Sequence, residues 1–346
     1  MNLHLGEGDT PLISLPRLAQ QWGLGALYAK AEHLNPTGSY KDRIAAATMA
    51  EALRRGRRGW LGTSSGNGGA AMSAYGRRAG IPGVLCVSAD APPEKLASIR
   101  PYGIVMVAMQ RMGPAVMAEL GRIAEAENLQ LTITTHVHNP VGMRGARAIG
   151  TEIAAQAPDV TQVYVPSGGG GLLVATAGGL LDAGNTAAVV VCQPAGCAPI
   201  ARYVAGELAT PEVDRCDTAV SGLQLPVPPD GPAAADAVRA SGGWGAAVSD
   251  EDTWRVQDQL AAQEGVFVEP ASAVALASVA ADAASGRLGP DDRPCVVLSG
   301  SGLKDLRRFS GPLRPQDVIA ADRLAETVRS GLRDAGTVPV PEGAGA

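Results

Sequence analysis

Aromatic side chains are scarce: two Phe, four Trp and six Tyr make up 3% of the 346 residues. That excludes a base-stacking platform or an aromatic sugar groove, each of which needs several rings on one face. Lysine is scarcer, with only Lys30, Lys41, Lys95 and Lys304. Positive charge is carried almost entirely by arginine, so chemistry that needs a primary amine has four candidates. Net charge is -5 and the pI about 5.5, which removes the global positive field that recruits nucleic acid or an anionic membrane. No apolar run reaches bilayer length. The start, Met1-Asn2-Leu3-His4, has neither the basic nor the apolar region of an export signal, and a cytoplasmic protein is expected. Cys86, Cys192, Cys197, Cys216 and Cys295 are scattered and odd in number. No His follows them at metal-ligand spacing, so no metal is expected and the thiols read as free and buried in a reducing compartment.

What is present is a regular alternation of strand and helix patterns. Strands are expected at ALYAKA (26–31), Trp60 to Thr63, GVLCVS, IVMVAM, LTITT (131–135), QVYVP, AAVVVC and CVVLSG. Helices are expected from Lys41 to Gly56, Asn67 to Arg78, Pro92 to Ile99, Val116 to Ala126, Arg144 to Ala155, Asp250 to Glu264 and Glu269 to Ala284. Short βα connections of this kind argue for parallel sheets covered by helices on both faces. The segment HVHNPVGM (136–143) breaks the rhythm. The best fit is two α/β domains, a larger one of residues 1–44 with 143–330 and a smaller one of 45–142, with the active site in the cleft. LPVPPDGP (225–232) reads as a surface loop, and 331–346 as a flexible tail.

Four elements carry chemistry. In NPTGSYKDR (35–43) a turn leads into a helix with Lys41 in its first turn. The positive end of the helix dipole disfavours a cation there, and imine formation needs the neutral amine. The other lysines read as structural: Lys30 as a rim charge, Lys95 as surface, Lys304 as a partner for Asp305. Ser64-Ser65-Gly66-Asn67 joins a strand to a helix, where backbone N–H groups and hydroxyls suit a carboxylate. Gly168, Gly169, Gly170 and Gly171 join another strand to a helix and let the backbone close on a phosphate, although a plain structural turn explains four glycines equally well. Ser299 ends an apolar strand, where a hydroxyl can face a ligand. Together, a lysine and two anion-binding turns describe an aldehyde cofactor tethered by phosphate and bound beside an amino-acid carboxylate.

With these motifs in place, GDTPL (8–12), NPTGSYKDR, SSGNGGAA, EGVFVEPASA and SGSGLKD, in this order, resemble the fold-type II pyridoxal-phosphate enzymes, and within them the threonine synthase branch. The resemblance covers residues 6 to 310 and implies the tryptophan synthase β-like architecture, a homodimer, and pyridoxal 5'-phosphate as cofactor. It implies that Lys41 holds the cofactor and moves protons, and that Asn67 contacts its 3′-oxygen. Ser64, Ser65 and Gly66 would bind the substrate carboxylate. Gly168 to Gly171 would cradle the phosphate, and Ser299 would face the pyridine nitrogen. A hydroxyl partner leaves that nitrogen largely unprotonated, which favours elimination and replacement over transamination. The substrate would be a small amino acid bearing a leaving group at Cβ or Cγ.

The interdomain segment departs from the branch. Threonine synthases resemble NSVNPxRxEGxKT there, whose arginine grips the phosphate of O-phosphohomoserine; here that arginine position falls on Gly142. Losing an arginine–phosphate fork removes a strong contact. Arg144 or Arg147 either compensates from the next turn or is a solvated helix charge. His136 and Asn139 are further substrate-binding candidates, and His136 and His138 are either acid–base groups or hinge histidines. Glu269 is either a hydrogen-bonding group near the cofactor or a helix-start carboxylate, the latter being favoured. SGGGGL and TAVSGLQLP lean towards serine and threonine dehydratases. The expected activity is a threonine synthase-like lyase. A serine/threonine ammonia-lyase or β-replacement synthase is the alternative, and a non-catalytic amino-acid-binding module the third reading.

Overall fold

The computed structural model describes residues 2–311 and 318–334, and the chain falls into two compact units, 1–304 and 305–346. The first unit contains two sheets. One is six-stranded, in the order β1 (Leu12–Ser14), β2 (Tyr28–Lys30), β10 (Pro294–Val297), β7 (Gln162–Pro166), β8 (Ala188–Pro194), β9 (Gly245–Val248); only β1 runs antiparallel. The other is four-stranded and wholly parallel, in the order β5 (Val105–Met109), β4 (Gly83–Ser88), β3 (Gly59–Thr63), β6 (Leu129–Leu131). Central strands are buried on both faces: every residue of β10 is buried, as expected of parallel sheets sandwiched by helices. The expected α/β fold with parallel sheets is therefore present.

One apolar core runs beneath both sheets. It includes Trp60, Tyr75 and Leu85 around the small sheet, Val163, Val165 and Val189 in the large one, and Ile44, Met143 and Ala146 between them. Trp60 is 1% exposed and fills a slot made by two glycines. A Cβ on Gly76 or Gly83 would lie 2.2 or 1.9 Å from its indole ring. Between the sheets the helix Lys41–Arg54 crosses the short helix Pro140–Gly145. Gly145 permits the approach, because a Cβ there would stand 2.3 Å from the Arg43 carbonyl oxygen.

Several expectations need correction. LTITT is a strand only at its first residue: β6 ends at Leu131, Thr132 N–H still bonds the Leu61 carbonyl (2.9 Å), and residues 133–135 turn out of the sheet. HVHNPVGM is not merely an interruption, since Asn139 caps the helix Pro140–Gly145. LPVPPDGP is not wholly surface, because Pro228 and Asp230 are buried and the helix Gly231–Ala240 begins inside it. Lys30 is fully buried, donating to the Thr10 carbonyl (2.7 Å) and Gln156 (2.9 Å) and pairing with Glu152 (2.5 Å). Cys197 and Cys216 are not free thiols but form a disulfide with Cα atoms 4.6 Å apart; the Asp217 N–H bonds the Gly196 carbonyl at 2.8 Å and brings the two segments together.

In the second unit, Leu324–Asp334 is a helix. Residues 331–334 of the expected tail complete that helix, and 335–346 lie outside the described residues. No helix among the described residues is long and apolar enough to cross a membrane.

Candidate active site

The chemistry-bearing segments gather at the C-terminal ends of parallel strands, where open α/β sheets bind ligands. Ser64 to Asn67 follow β3, Thr132 to His136 follow β6, the glycine turn follows β7, and Ser299 follows β10. The Lys41 turn is stitched to the last of these. Tyr40 N–H donates to the Ser299 carbonyl (3.1 Å) and Ser301 N–H to the Gly38 carbonyl (2.9 Å).

Lys41 is the first residue of its helix. Its Nζ lies 3.0 Å from Thr134 Oγ1 and 4.6 Å from the centre of the Tyr40 ring. The residues after it hold it in place. Asp42 accepts from the Thr37 N–H (2.9 Å) and hydroxyl (2.7 Å), closing the turn. Burial pushes the Asp42 carboxyl up to about 6 against those hydrogen bonds. Arg43 grips Glu32 through Nε (2.8 Å) and Nη2 (2.7 Å), and Glu152 through Nη1 (2.6 Å) and Nη2 (2.7 Å). Burial alone would raise the Glu152 carboxyl, but the Arg43 and Lys30 hydrogen bonds outweigh it and hold it at about 2.

The glycine turn is built for an anion. Among the described residues, the N–H groups of Gly168 to Gly171 have no acceptor, and they sit at the start of the helix Gly171–Asp182. Gly170 has φ +89°, and a Cβ there would lie 2.8 Å from the Asp230 carbonyl oxygen. Side chains are thus excluded at Gly170 by the turn's own wall. Ser299 is buried, with its hydroxyl 3.0 Å from that of Ser272. The Ser39 hydroxyl is fully buried without a partner. Ser64 Oγ accepts from the Gly66 N–H at 3.2 Å.

Asn67 donates to both carboxylate oxygens of Glu269 at 3.0 Å. Glu269 therefore does more than open its helix: its side chain reaches across to the small sheet's turn. Lys304 also departs from expectation. Its Nζ donates to the Thr37 carbonyl at 2.8 Å, and burial lowers its pKa while Glu269 and Asp42 oppose the shift.

Of the proposed substrate ligands, Asn139 is corrected. It is 2% exposed, caps Gly142 N–H (3.1 Å) and donates to Thr48 Oγ1 (2.8 Å), so its amide is spent on structure. Arg147 pairs with Asp182 on the surface and is not a substitute phosphate ligand. Arg144 is exposed. His138 Nδ1 lies 2.8 Å from Thr135 Oγ1. His136 meets a residue the sequence did not single out: Asp230 accepts from the His136 N–H (3.1 Å to each oxygen) and lies 3.2 Å from Nδ1. Asp230 was hidden because it sits 94 residues away in a proline-rich stretch.

A buried-footed lysine, an open-donor glycine turn and an amide–carboxylate pair at strand ends are the equipment of an enzyme working through a phosphate-bearing aldehyde. The chain belongs to the pyridoxal-phosphate dependent enzyme family, which matches residues 3–300. It is 32% identical over 312 residues to threonine synthase of Halalkalibacterium halodurans, covering 88% of this chain and 84% of that one. It is 30% identical over 311 residues to threonine synthase of Methanosarcina acetivorans, covering 86% and 76%. Among solved structures, a threonine deaminase from T.th. superposes with a TM-score of 0.73 at 26% identity, covering 88% of this chain and 94% of that one. Maize serine racemase, at 20% identity and TM-score 0.75 with 95% and 94% covered, shares the fold. The protein is thus a pyridoxal-phosphate-dependent, threonine synthase-like lyase of fold-type II.

The residues present fit that cofactor. Unclaimed backbone donors at the glycine turn would suit its phosphate, Asn67 and Ser299 are polar groups that could meet it, and Lys41 carries a primary amine.

Proposed function

We propose that the protein eliminates or replaces an oxygen substituent at Cβ or Cγ of a small α-amino acid other than O-phosphohomoserine. Pyridoxal phosphate, when bound, supplies the electron sink that makes the Cα proton acidic. Lys41 holds the cofactor and moves that proton, steadied by Thr134. Gly168 to Gly171 bind the cofactor phosphate, Asn67 its 3′-oxygen and Ser299 its ring nitrogen. Ser64, Ser65 and Gly66 bind the substrate carboxylate. The two sheets support the division into a smaller domain, 45–142, holding β3 to β6, and a larger one of 1–44 with 143–330, although the compact units part at 304. A homodimer in the cytoplasm is part of the same reading.

The observation that carries the substrate class is Gly142. A Cβ at this position would lie 2.2 Å from Thr48 Oγ1 and 2.4 Å from Asn139 Nδ2. The position carries no side chain, and the phosphate-gripping arginine of threonine synthases could stand there only if the Thr48 and Asn139 side chains both moved. A serine/threonine ammonia-lyase is the second reading, favoured by the likeness to a threonine deaminase structure. The test is to supply O-phosphohomoserine, threonine, serine and O-phosphoserine separately, following threonine, keto acid and phosphate. Turnover of an unphosphorylated amino acid is expected, with Lys41→Ala abolishing both it and the visible cofactor–lysine absorbance. Efficient conversion of O-phosphohomoserine to threonine and phosphate would sink the substrate assignment; keto acid from serine or threonine would narrow it to elimination, the second reading, whereas turnover in which the product keeps its amine would select replacement.

A further inference from the structure

We propose that His136 supplies the positive charge of the cofactor-phosphate site: as an imidazolium it cancels the Asp230 carboxylate that walls the glycine turn, and so allows a phosphate to be held there. The inference deepens the cofactor reading above and rests on the assignment of Gly168 to Gly171 to the phosphate.

Asp230 is built into the turn. Its N–H donates to the Gly169 carbonyl (2.9 Å), and its carbonyl oxygen is the wall that a Cβ on Gly170 would meet at 2.8 Å. Its carboxylate stands there too, since a Cβ built on Gly171 would lie 2.8 Å from Oδ2 and 3.7 Å from His136 Nδ1. Asp230 heads the helix Gly231–Ala240, yet its side chain makes no capping hydrogen bond. It is turned instead to His136, accepting from the backbone N–H at 3.1 Å on each oxygen and lying 3.2 Å from Nδ1.

Charge decides what that pairing must be. Asp230 is 4% exposed, and among the described residues no arginine or lysine pairs with it; its ion-pair partner is His136. A carboxylate taken out of water without a counter-charge is costly, and the phosphate brings a second anion to the same turn. Two like charges in a site shielded from water oppose each other strongly. A neutral imidazole would satisfy one lone pair of Asp230 but leave both negative charges in place. An imidazolium donating from Nδ1 leaves the pair with no net charge, and the free N–H groups of the turn then act on the phosphate unopposed.

The histidine comes from the other sheet. His136 follows β6 of the four-stranded sheet, whereas the glycine turn follows β7 of the six-stranded one. Two residues before it, Thr134 accepts a hydrogen bond from Lys41 Nζ. One short segment therefore meets both the lysine and the glycine turn, the two points assigned to tethering the cofactor. The His136 side chain is 29% exposed, so its ring can take a proton from solvent and is not sealed in the core.

The experiment measures affinity rather than turnover, on the full chain freed of cofactor. Two probes are titrated at one fixed pH and followed by visible absorbance: pyridoxal 5'-phosphate, and pyridoxal, which keeps the aldehyde but has no phosphate. His136→Gln keeps a donor for Asp230 but carries no charge. It should weaken binding of pyridoxal 5'-phosphate by about 10-fold or more and that of pyridoxal by less than about threefold. Adding Asp230→Asn to His136→Gln removes the opposing anion and should bring the affinity for pyridoxal 5'-phosphate back to within about threefold of the wild type. Full affinity in His136→Gln, an equal loss for both probes, or a double variant as weak as the single one would overturn the proposal. Wild-type protein that binds the two probes equally would show instead that the glycine turn does not hold the phosphate, and the assignment on which the proposal rests would fall with it.

Discussion

Glu152 accepts from Arg43 and Lys30 at once, and those bonds hold its carboxyl at about 2, below its ordinary 4.5. A depressed carboxylate contributes stability that is complete above the unfolded value and is lost as pH falls through the folded one. The window here runs from about 4.5 down to about 2, and the amount is on the order of 3 kcal/mol. Asp42 works the other way. Its folded value, raised to about 6 by burial, contributes stability that is present below 3.8 and lost as pH rises through 6. Denaturant unfolding should therefore show stability rising as pH falls from about 6 to 4.5, level where the two groups oppose each other between about 4.5 and 3.8, and falling from about 3.8 towards 2. Glu152→Gln should lack the acid fall, and a wild-type curve that stays flat from pH 3.8 down to about 2.5 would contradict this account. None of it was legible from sequence. Lys30 looked like a rim charge because an alternating strand usually wets one face, but β1, pairing antiparallel on the outer side of β2, and residue 152 close over it.

At the scale of elements, the crossing of Lys41–Arg54 over Pro140–Gly145 sets where the lysine points, and it depends on a missing side chain. Gly145→Ala would place a methyl 2.3 Å from the Arg43 carbonyl oxygen, a backbone atom that cannot swing aside. The expected cost is about 1–3 kcal/mol, as for overpacking elsewhere, with weaker retention of the cofactor because the Lys41 turn must shift. Unchanged denaturant stability and cofactor retention would show that the helices separate freely. The long helices and central strands could be read from periodicity, since Asn67–Ala79 and Gln162–Pro166 carry strong patterns bounded by glycine turns. β6 could not. Its apolar and threonine-rich continuation has strand propensity, yet the chain turns out after Leu131 and Thr134 instead reaches Lys41.

For the whole molecule, the disulfide is the clearest gain from three dimensions. Cys197 and Cys216 lie 19 residues apart and meet because the Gly196–Asp217 backbone bond pins the intervening excursion. Thiol titration in denaturant of protein isolated without reductant should count the three free cysteines, Cys86, Cys192 and Cys295, and all five after reduction. Five before reduction would show the pair unbonded in the source compartment. By itself the sequence determined the α/β class and the cofactor, and it pointed to Lys41, Asn67 and the glycine turn as the proposed site, because these rest on local devices: a strand, a turn and a helix start lie within a dozen residues of one another. Only the tertiary structure decided that Asn139 is a cap, that the Thr48 and Asn139 side chains fill the space beside Gly142, that Glu269 reaches Asn67 and that Asp230 meets His136. Each of those depends on which distant backbone packs against the residue, and local pattern carries no record of that.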